Sequence, residues 1–360
     1  SIRWDINDFV DWVASDNPRT KYRNLITQSG GDTSDYPENA LETVFYPTNK
    51  IRLPVNKENV IKSGLVKEKD SDLILDYIDI DLPESIITKN QIMMLDILAN
   101  NNWERPIYFT GGSYEESEYI WMKDYLQLDG LVYKLVPIKT SIENNPYEMG
   151  RIDSDLMYDI VKKWSWGNSE SDEIYHDPET RKNSISFRGN LSRLSEKLIS
   201  EGEYEKAEEI LDLAFSKMPI DYYGYYSLWT PLVKSYYDIG KSEKVREIVQ
   251  KLSFKYSDRL SYFSSLEIFN QYDVGEEIIS DIERFRNLIE TIQESGEREI
   301  LADQIKSFIS SSEQFNYIYG EYDYYISLSN FLVSLLELNE VEYSMSVIDK
   351  IEEQLIRRVS

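Results

Sequence analysis

The stretch Leu191–Pro219 reads LSRLSEKLISEGEYEKAEEILDLAFSKMP and decides the fold of the second half of the chain. Its first part repeats leucine at intervals of three or four residues, which places those side chains on one face of a helix. Gly202 is suited to the turn that follows, and a second run with helical spacing comes after it. The small residues Ser195 and Ala207 allow two helices to approach closely. The stretch therefore predicts a pair of antiparallel helices.

The same pattern returns twice further along the chain, with Gly240 and then Asn339 at the turn. This spacing resembles the tetratricopeptide repeat, and the resemblance implies a stack of antiparallel helix pairs. A generic helical bundle is the alternative. The segment Arg259–Tyr319 is helical in pattern but does not fit the repeat. The matching positions are Trp229, Leu232, Val233, Tyr236, Val245, Val249 and Leu252 in the second copy and Leu328, Phe331, Leu332, Leu335, Val341, Ser344, Ile348 and Ile351 in the third; all are apolar or aromatic except the small Ser344.

The first half of the chain alternates between helix-like and strand-like patterns, which favours a mixed α/β layer. Helices are predicted over Ile6–Ala14, from Thr88 to about Asn101, and over Glu116–Leu128. Strands are predicted over Thr43–Tyr46, Ile51–Val55, Asp72–Leu82, Arg105–Thr110 and Leu131–Ile138. The expected fold class is α+β, with an N-terminal mixed α/β domain over residues 1–143, a bridging segment over 144–183 and an all-α tetratricopeptide-like repeat domain over 184–360.

Composition excludes several kinds of site and partner. The 360 residues carry a formal net charge of −26, which disfavours binding to nucleic acid or to an anionic membrane surface. The chain has no cysteine and a single histidine, so thiolate and multi-histidine metal sites cannot form. No stretch reaches the roughly 18 apolar residues of a membrane helix, so direct membrane insertion is not expected. The start at Ser1, without an initiator Met or a signal-like segment, suggests a mature chain or an excised fragment.

Three motifs that could carry chemistry have simpler interpretations. The strand–Gly-Gly–helix stretch YFTGGSYEESEYIW at 108–121 has the order of a phosphate-binding turn, but its glutamates would repel phosphate. Acidic clusters such as Asp76, Asp79 and Asp81 lack the spacing of a calcium loop and are interpreted as a solvated face. His176 lies in a turn-like stretch, and no nucleophile-elbow motif occurs. No metal and no cofactor is therefore expected.

Two stretches carry a family resemblance: LDILANNNWERPIYFT at 95–110 and YLQLDGLVYKLVPI at 125–138. They resemble the soluble C-terminal region of a bacterial membrane-protein family related to protein O-mannosyltransferases, in which this region follows a multi-spanning part of GT-C type. The resemblance implies a full-length protein in the inner membrane with this chain on the periplasmic side, next to its own membrane domain. It implies catalysis near the membrane, and no family catalytic residue can be transferred to this chain.

The leading hypothesis is a non-catalytic accessory domain whose helical repeats present a groove to a protein or peptide partner in the cell envelope. Tyrosine and tryptophan are abundant, and both suit such binding because they bury area and keep a polar handle. Helical geometry predicts six groove-facing positions on the first helices of the first two repeats. They are Ser192, Glu196 and Ile199 in the first repeat and Thr230, Lys234 and Tyr237 in the second.

Two alternatives remain open from the sequence. In the first, the α/β domain helps to bind sugar or acceptor for glycosyl transfer by the full-length enzyme, through Trp103, Arg105 and Tyr108. Packing in the core and in turns is the simpler interpretation of those three residues. An exposed Arg105 beside aromatic faces would favour the catalytic contribution, and an Arg105 sealed against a carboxylate would disfavour it. In the second alternative, the repeats mediate self-association.

Overall fold

The computed structural model describes residues 3–46, 48–82, 87–110, 120–140 and 149–359. The chain divides into two compact units, Ser1–Lys163 and Trp164–Ser360. The first unit holds all the strands found among the described residues, and the second is built from helices. This arrangement confirms the predicted α+β fold class.

The first unit is called here the α/β unit, and its described residues form two small three-stranded sheets. In the first sheet, β1 lies parallel to β2 and β3 lies antiparallel to β2. In the second sheet, β6 lies between β4 and β5 and is antiparallel to both. The strands are β1 (Trp4–Asp5), β2 (Lys50–Pro54), β3 (Tyr77–Asp81), β4 (Tyr108–Thr110), β5 (Leu126–Asp129) and β6 (Val132–Leu135).

Six α-helices lie among the described residues of the α/β unit: α1 (Ile6–Ala14), α2 (Tyr22–Gln28), α3 (Glu38–Leu41), α4 (Lys57–Lys62), α5 (Lys89–Asn101) and α6 (Ser154–Val161). Helix α1 has the predicted bounds and packs on α5 and β2, where Ile6 and Phe9 are fully buried. Helix α5 begins after Thr88 as predicted, and the backbone N–H of Thr88 donates to Gln91 Oε1 at 2.8 Å.

The structure corrects three of the predicted elements in the α/β unit. Residues Leu126–Leu128, predicted to end a helix, belong to strand β5, and Ile120–Tyr125 form a 3-10 helix. The strand predicted from Asp72 begins only at Tyr77, because residues 68–73 form another 3-10 helix. Residues 43–46 contribute one isolated bridge at Val44 instead of a strand. The Gly111-Gly112 turn and the start of the helix predicted from Glu116 lie outside the described residues.

The second unit, called here the helical unit, contains four helical hairpins. Hairpin 1 pairs α7 (Pro178–Ser200) with α8 (Tyr204–Lys217), and hairpin 2 pairs α10 (Thr230–Asp238) with α11 (Ser242–Ser264). Hairpin 3 pairs α13 (Gly275–Glu294) with α14 (Leu301–Ser312), and hairpin 4 pairs α16 (Glu321–Glu337) with α17 (Val341–Val359). The short helices between hairpins are α9 (Ile220–Tyr223), α12 (Ile268–Asp273) and α15 (Asn316–Tyr319).

Hairpins 1, 2 and 4 share one turn geometry. Gly202, Gly240 and Asn339 each adopt a positive φ, of 80°, 73° and 64°. In every case the next backbone N–H donates to the carbonyl five residues earlier at 2.9 Å, as from Glu203 to Leu198. This Schellman arrangement satisfies carbonyls at the helix end and reverses the chain. The three turn residues are those that the repeat pattern predicts.

The hairpins stack in chain order around one continuous core. The small residues Ser195 and Ala207 are fully buried where α7 and α8 pack together. A series of ring contacts links hairpins 2, 3 and 4, with centroid distances of 5.6 Å, 5.6 Å and 5.4 Å between successive rings. The rings in this series belong to Tyr256, Phe285, Phe308 and Phe331. Most of the segment that did not fit the repeat, Arg259–Tyr319, therefore supplies a further hairpin of the same stack.

Candidate functional site

The six residues predicted to face a groove lie on α7 and α10, two first helices that contact each other. Glu196 and Lys234 are exposed, whereas Ile199, Thr230 and Tyr237 are half-buried. Ser192 is buried. We refer to the five residues that reach solvent as the first-helix surface. These residues include two opposite charges, an aliphatic side chain and an aromatic side chain.

Ser192 and Lys234 each bond to a residue four positions further along their own helix. Ser192 Oγ donates to Glu196 Oε1 at 3.0 Å, and Lys234 Nζ lies 2.9 Å from Asp238 Oδ2. Both members of the Lys234–Asp238 pair are largely exposed. Such a pair on one helix contributes only about 0.3–0.5 kcal/mol, so a partner could replace it at little cost.

The hydroxyl group of Tyr237 points into the protein. The hydroxyl oxygen is shielded from solvent and has no hydrogen-bond partner among the described residues. Burial raises the pKa of Tyr237, and the nearby negative charge of Glu297 raises it further. The Glu297 carboxylate is itself almost buried and lies 3.4 Å from Arg246. The hydroxyl end of Tyr237 is therefore part of the packed interior of the helical unit.

A buried arginine holds the chain between hairpins 1 and 2. Arg188 is fully buried, and its guanidinium donates to the Ser184 hydroxyl at 2.6 Å and to the Gly224 carbonyl at 2.8 Å. The same guanidinium lies 4.8 Å from the ring centroid of Trp229. Burial lowers the pKa of Arg188 to about 10. Hydroxyl and carbonyl oxygens thus satisfy this cation, and its role is to fix the residues that enter α10.

Trp103, Arg105 and Tyr108 have different surroundings in the α/β unit. Trp103 is buried, and its indole N–H donates to the Pro54 carbonyl at 2.8 Å, which is the packing role that the simpler interpretation expects. Arg105 is exposed, and no described residue accepts a hydrogen bond from its guanidinium. Tyr108 is also exposed, although partial burial and the neighbouring Asp129 raise its pKa. Arg105 and Tyr108 are thus the members of this set that a ligand could reach.

The sheet that follows Arg105 buries three polar residues, Gln127, Asp129 and Lys134, which the sequence does not predict to be buried. Lys134 is the register partner of both Tyr108 on β4 and Gln127 on β5. Lys134 Nζ lies 2.9 Å from Asp129 Oδ2, and both side chains are about 5% exposed. The Gln127 amide donates to Asp129 Oδ1 at 2.8 Å. The helix predicted over Glu116–Leu128 takes Gln127 out of the sheet, and the strand predicted over Leu131–Ile138 does not by itself show that Lys134 is covered.

The single histidine, His176, is held by packing and by a hydrogen-bond contact. The His176 ring stacks on Tyr222 at 5.5 Å, and its Nε2 lies 3.1 Å from the Ser171 carbonyl. In the part of the chain that the structure describes, no group of three or more histidine or acidic residues is placed to hold a metal ion. Among the described helices, none combines the length and the apolar character needed to cross a bilayer.

Part of the chain matches the model of a known protein family. Residues 1–156 match the family model described as TMEM260-associated domain 2, which covers 156 of the 360 residues. The match spans nearly all of the α/β unit and none of the helical unit. No curated protein matches the chain. No solved structure matches it either.

Proposed function

We propose that this chain is a non-catalytic accessory part of a membrane-anchored O-mannosyltransferase-like protein, and that its helical unit binds a protein partner in the cell envelope. The match of residues 1–156 to TMEM260-associated domain 2 supports the enzyme context, because TMEM260 is a protein O-mannosyltransferase. The periplasmic side of the inner membrane is the location that this proposal assigns. The membrane domain that this proposal assigns to the full-length protein would be the second partner.

The exposure and the charges of the first-helix surface are the observation that supports the binding role. Glu196 and Lys234 present opposite charges to solvent on neighbouring helices, beside the half-buried Ile199 and Tyr237. Rigid aromatic and aliphatic groups with a polar rim supply binding energy at the centre of an interface and orientation at its edge. Because the hairpins are packed on a continuous core, this surface is held in one arrangement before a partner arrives.

Photo-crosslinking in the full-length membrane protein tests the proposal. A photoreactive amino acid at Ile199 is expected to give a discrete protein adduct, and the substitution Lys234→Glu is expected to reduce its yield at least fivefold. The matched control places the same group at Ser216, an exposed position on the second helix of hairpin 1, where no adduct is expected. Equal adducts at Ile199 and Ser216, or an Ile199 adduct that Lys234→Glu leaves unchanged, would refute binding at the first-helix surface.

A second candidate function is a contribution of the α/β unit to substrate binding. The favouring observation is that Arg105 is exposed, without a carboxylate partner among the described residues, while Tyr108 is exposed nearby in sequence. Mannosyl transfer by the full-length protein in native membranes separates the two candidates. The accessory role predicts that Arg105→Gln and Tyr108→Phe leave the transfer rate within twofold. A tenfold rise in KM with either variant would support the second candidate.

A further inference from the structure

Helix α12 exposes its three large apolar residues and buries one polar residue. Ile268, Phe269 and Tyr272 are 68%, 76% and 61% exposed, whereas the polar Gln271 is buried. These three outward residues are called here the α12 surface. Single exposed apolar residues are ordinary, but three adjacent ones on a six-residue helix form a patch of the kind that marks interaction sites.

Gln271 fixes this orientation. Its side-chain amide donates to the Leu266 carbonyl at 2.7 Å, and its Oε1 accepts a hydrogen bond from the Tyr317 hydroxyl. The ring of Tyr317 also meets Tyr272 edge-on at a centroid distance of 5.7 Å. Turning α12 over would bury its apolar residues but would remove these hydrogen bonds from a buried amide, which costs about 1–3 kcal/mol. The apolar side chains are therefore presented to solvent by a specific set of contacts.

Charge around the α12 surface indicates the chemistry of its partner. Glu267 and Asp273 flank the helix, and Glu276 and Glu277 follow in the first turn of α13. All four are exposed, and in the described part of the chain none lies within ion-pair distance of a lysine or arginine. Arg259 on α11 and Arg284 on α13 both form ion pairs with Asp281. The apolar patch thus has an uncompensated acidic rim.

We propose that the α12 surface docks a basic amphipathic segment of a protein partner, at a site separate from the first-helix surface. Phe269 and Ile268 would pack against the apolar face of that segment. Lysine or arginine residues beside this face would form ion pairs with the four rim carboxylates. An anionic bilayer is disfavoured as the occupant, because the rim and the net charge of −26 both repel it. A second copy of the chain would bring the same acidic rim and is disfavoured for the same reason.

Binding of a labelled amphipathic peptide of leucine and lysine to the whole chain tests the proposal. The Ile268→Ser/Phe269→Ser variant is expected to weaken binding at least tenfold, and Glu276→Gln/Glu277→Gln at least threefold at low salt with a smaller effect at high salt. The control variant Tyr204→Ser removes an exposed aromatic residue from hairpin 1 and is expected to change the affinity less than twofold. Hydrogen exchange should show protection at residues 266–277 when the peptide binds.

Three results would overturn the proposal. The first is equal loss of peptide affinity in the control and in the Ile268→Ser/Phe269→Ser variant. The second is binding of the chain to phosphatidylcholine vesicles that depends on Phe269, which would make the occupant a membrane. The third is dimerisation in sedimentation experiments that is lost with Phe269→Ser, which would make the occupant a second copy. Since Phe269 is largely exposed, the unfolding midpoint of its variant should match that of the wild type.

Discussion

Hairpin 1 and hairpin 4 have the same turn but differ in how much of their second helix is covered. The residue five positions after the turn residue is buried in both hairpins, as Ala207 and as Ser344. Four positions further on, Leu211 is fully buried whereas Ile348 is 38% exposed. The second helix of hairpin 1 contacts both α7 and α10, and that of hairpin 4 packs on α16. The turn residue thus allows the two helices to form a hairpin. Contact with the next hairpin then buries the remaining apolar side chains of the second helix.

The largest expected effect comes from truncating the two equivalent residues. Leu211→Ala should lower the free energy of unfolding by about 2–5 kcal/mol, because it leaves a cavity in a sealed core. Ile348→Ala should cost less than about 1 kcal/mol, because part of its side chain is already in water. Urea unfolding followed by far-UV circular dichroism measures both. If the two variants lose equal stability, Ile348 is as well covered in solution as Leu211, and the two hairpins do not differ in burial.

The hairpins also show how far the sequence predicts the fold. Hairpins 1, 2 and 4 follow from fixed offsets between apolar positions and a turn residue that tolerates positive φ. Hairpin 3 has the same kind of turn residue, Gly296 with φ of 77°, but its second helix begins only at Leu301. The longer connection shifts the offsets and hides the repeat, although the helical periodicity of both helices remains visible.

Strand β5 was mispredicted for a local reason. Residues 126–129 alternate and run into Asp129-Gly130, which is a strong hairpin signal, and Gly130 has φ of 72°. The helix predicted from Glu116 onward extends three residues too far, into Leu126–Leu128 of this strand. Helix and strand compete for such short apolar runs, and the turn dipeptide was the better guide.

The candidate sites depend more on tertiary context than the elements do. Periodicity places Glu196 and Lys234 on the outside of their helices, and both are exposed. It cannot show that the Tyr237 hydroxyl lies next to Glu297, because that contact joins hairpins 2 and 3. Nor can it predict α12, where the apolar residues point outward because Gln271 has its hydrogen-bond partners inside.

A smaller effect separates the turn residues of the two hairpins. No heavy atom lies within 4 Å of a Cβ built on Gly202, so Gly202→Ala tests the backbone alone. Alanine at a positive φ should cost about 1–2 kcal/mol. Asn339→Gly should change stability by less than about 0.5 kcal/mol, because asparagine already tolerates this conformation. Thermal unfolding of the variants checks both values, and a loss with Asn339→Gly as large as that with Gly202→Ala would show that the Asn339 side chain holds its turn.

The smallest effect is a pH dependence at the junction of hairpins 1 and 2. Glu208 on α8 lies 2.7 Å from Lys244 and 2.9 Å from Lys241, and hydrogen bonds from these lysines lower its pKa. The folded pKa thus lies below the unfolded value of about 4.3, so the stabilising contribution is present above that pH. It is lost as the pH falls through the folded pKa.

The variant Glu208→Gln should therefore be less stable than the wild type at neutral pH, by under about 1 kcal/mol, and the difference should vanish in acid. Added salt should reduce the same difference, because these charges are partly exposed. The matched control is Glu243→Gln on α11, an exposed glutamate without an ion-pair partner among the described residues. Urea unfolding across a pH series compares the two variants. If both show the same pH dependence, net charge alone explains it, and the junction between hairpins 1 and 2 owes nothing specific to the Glu208 pairs.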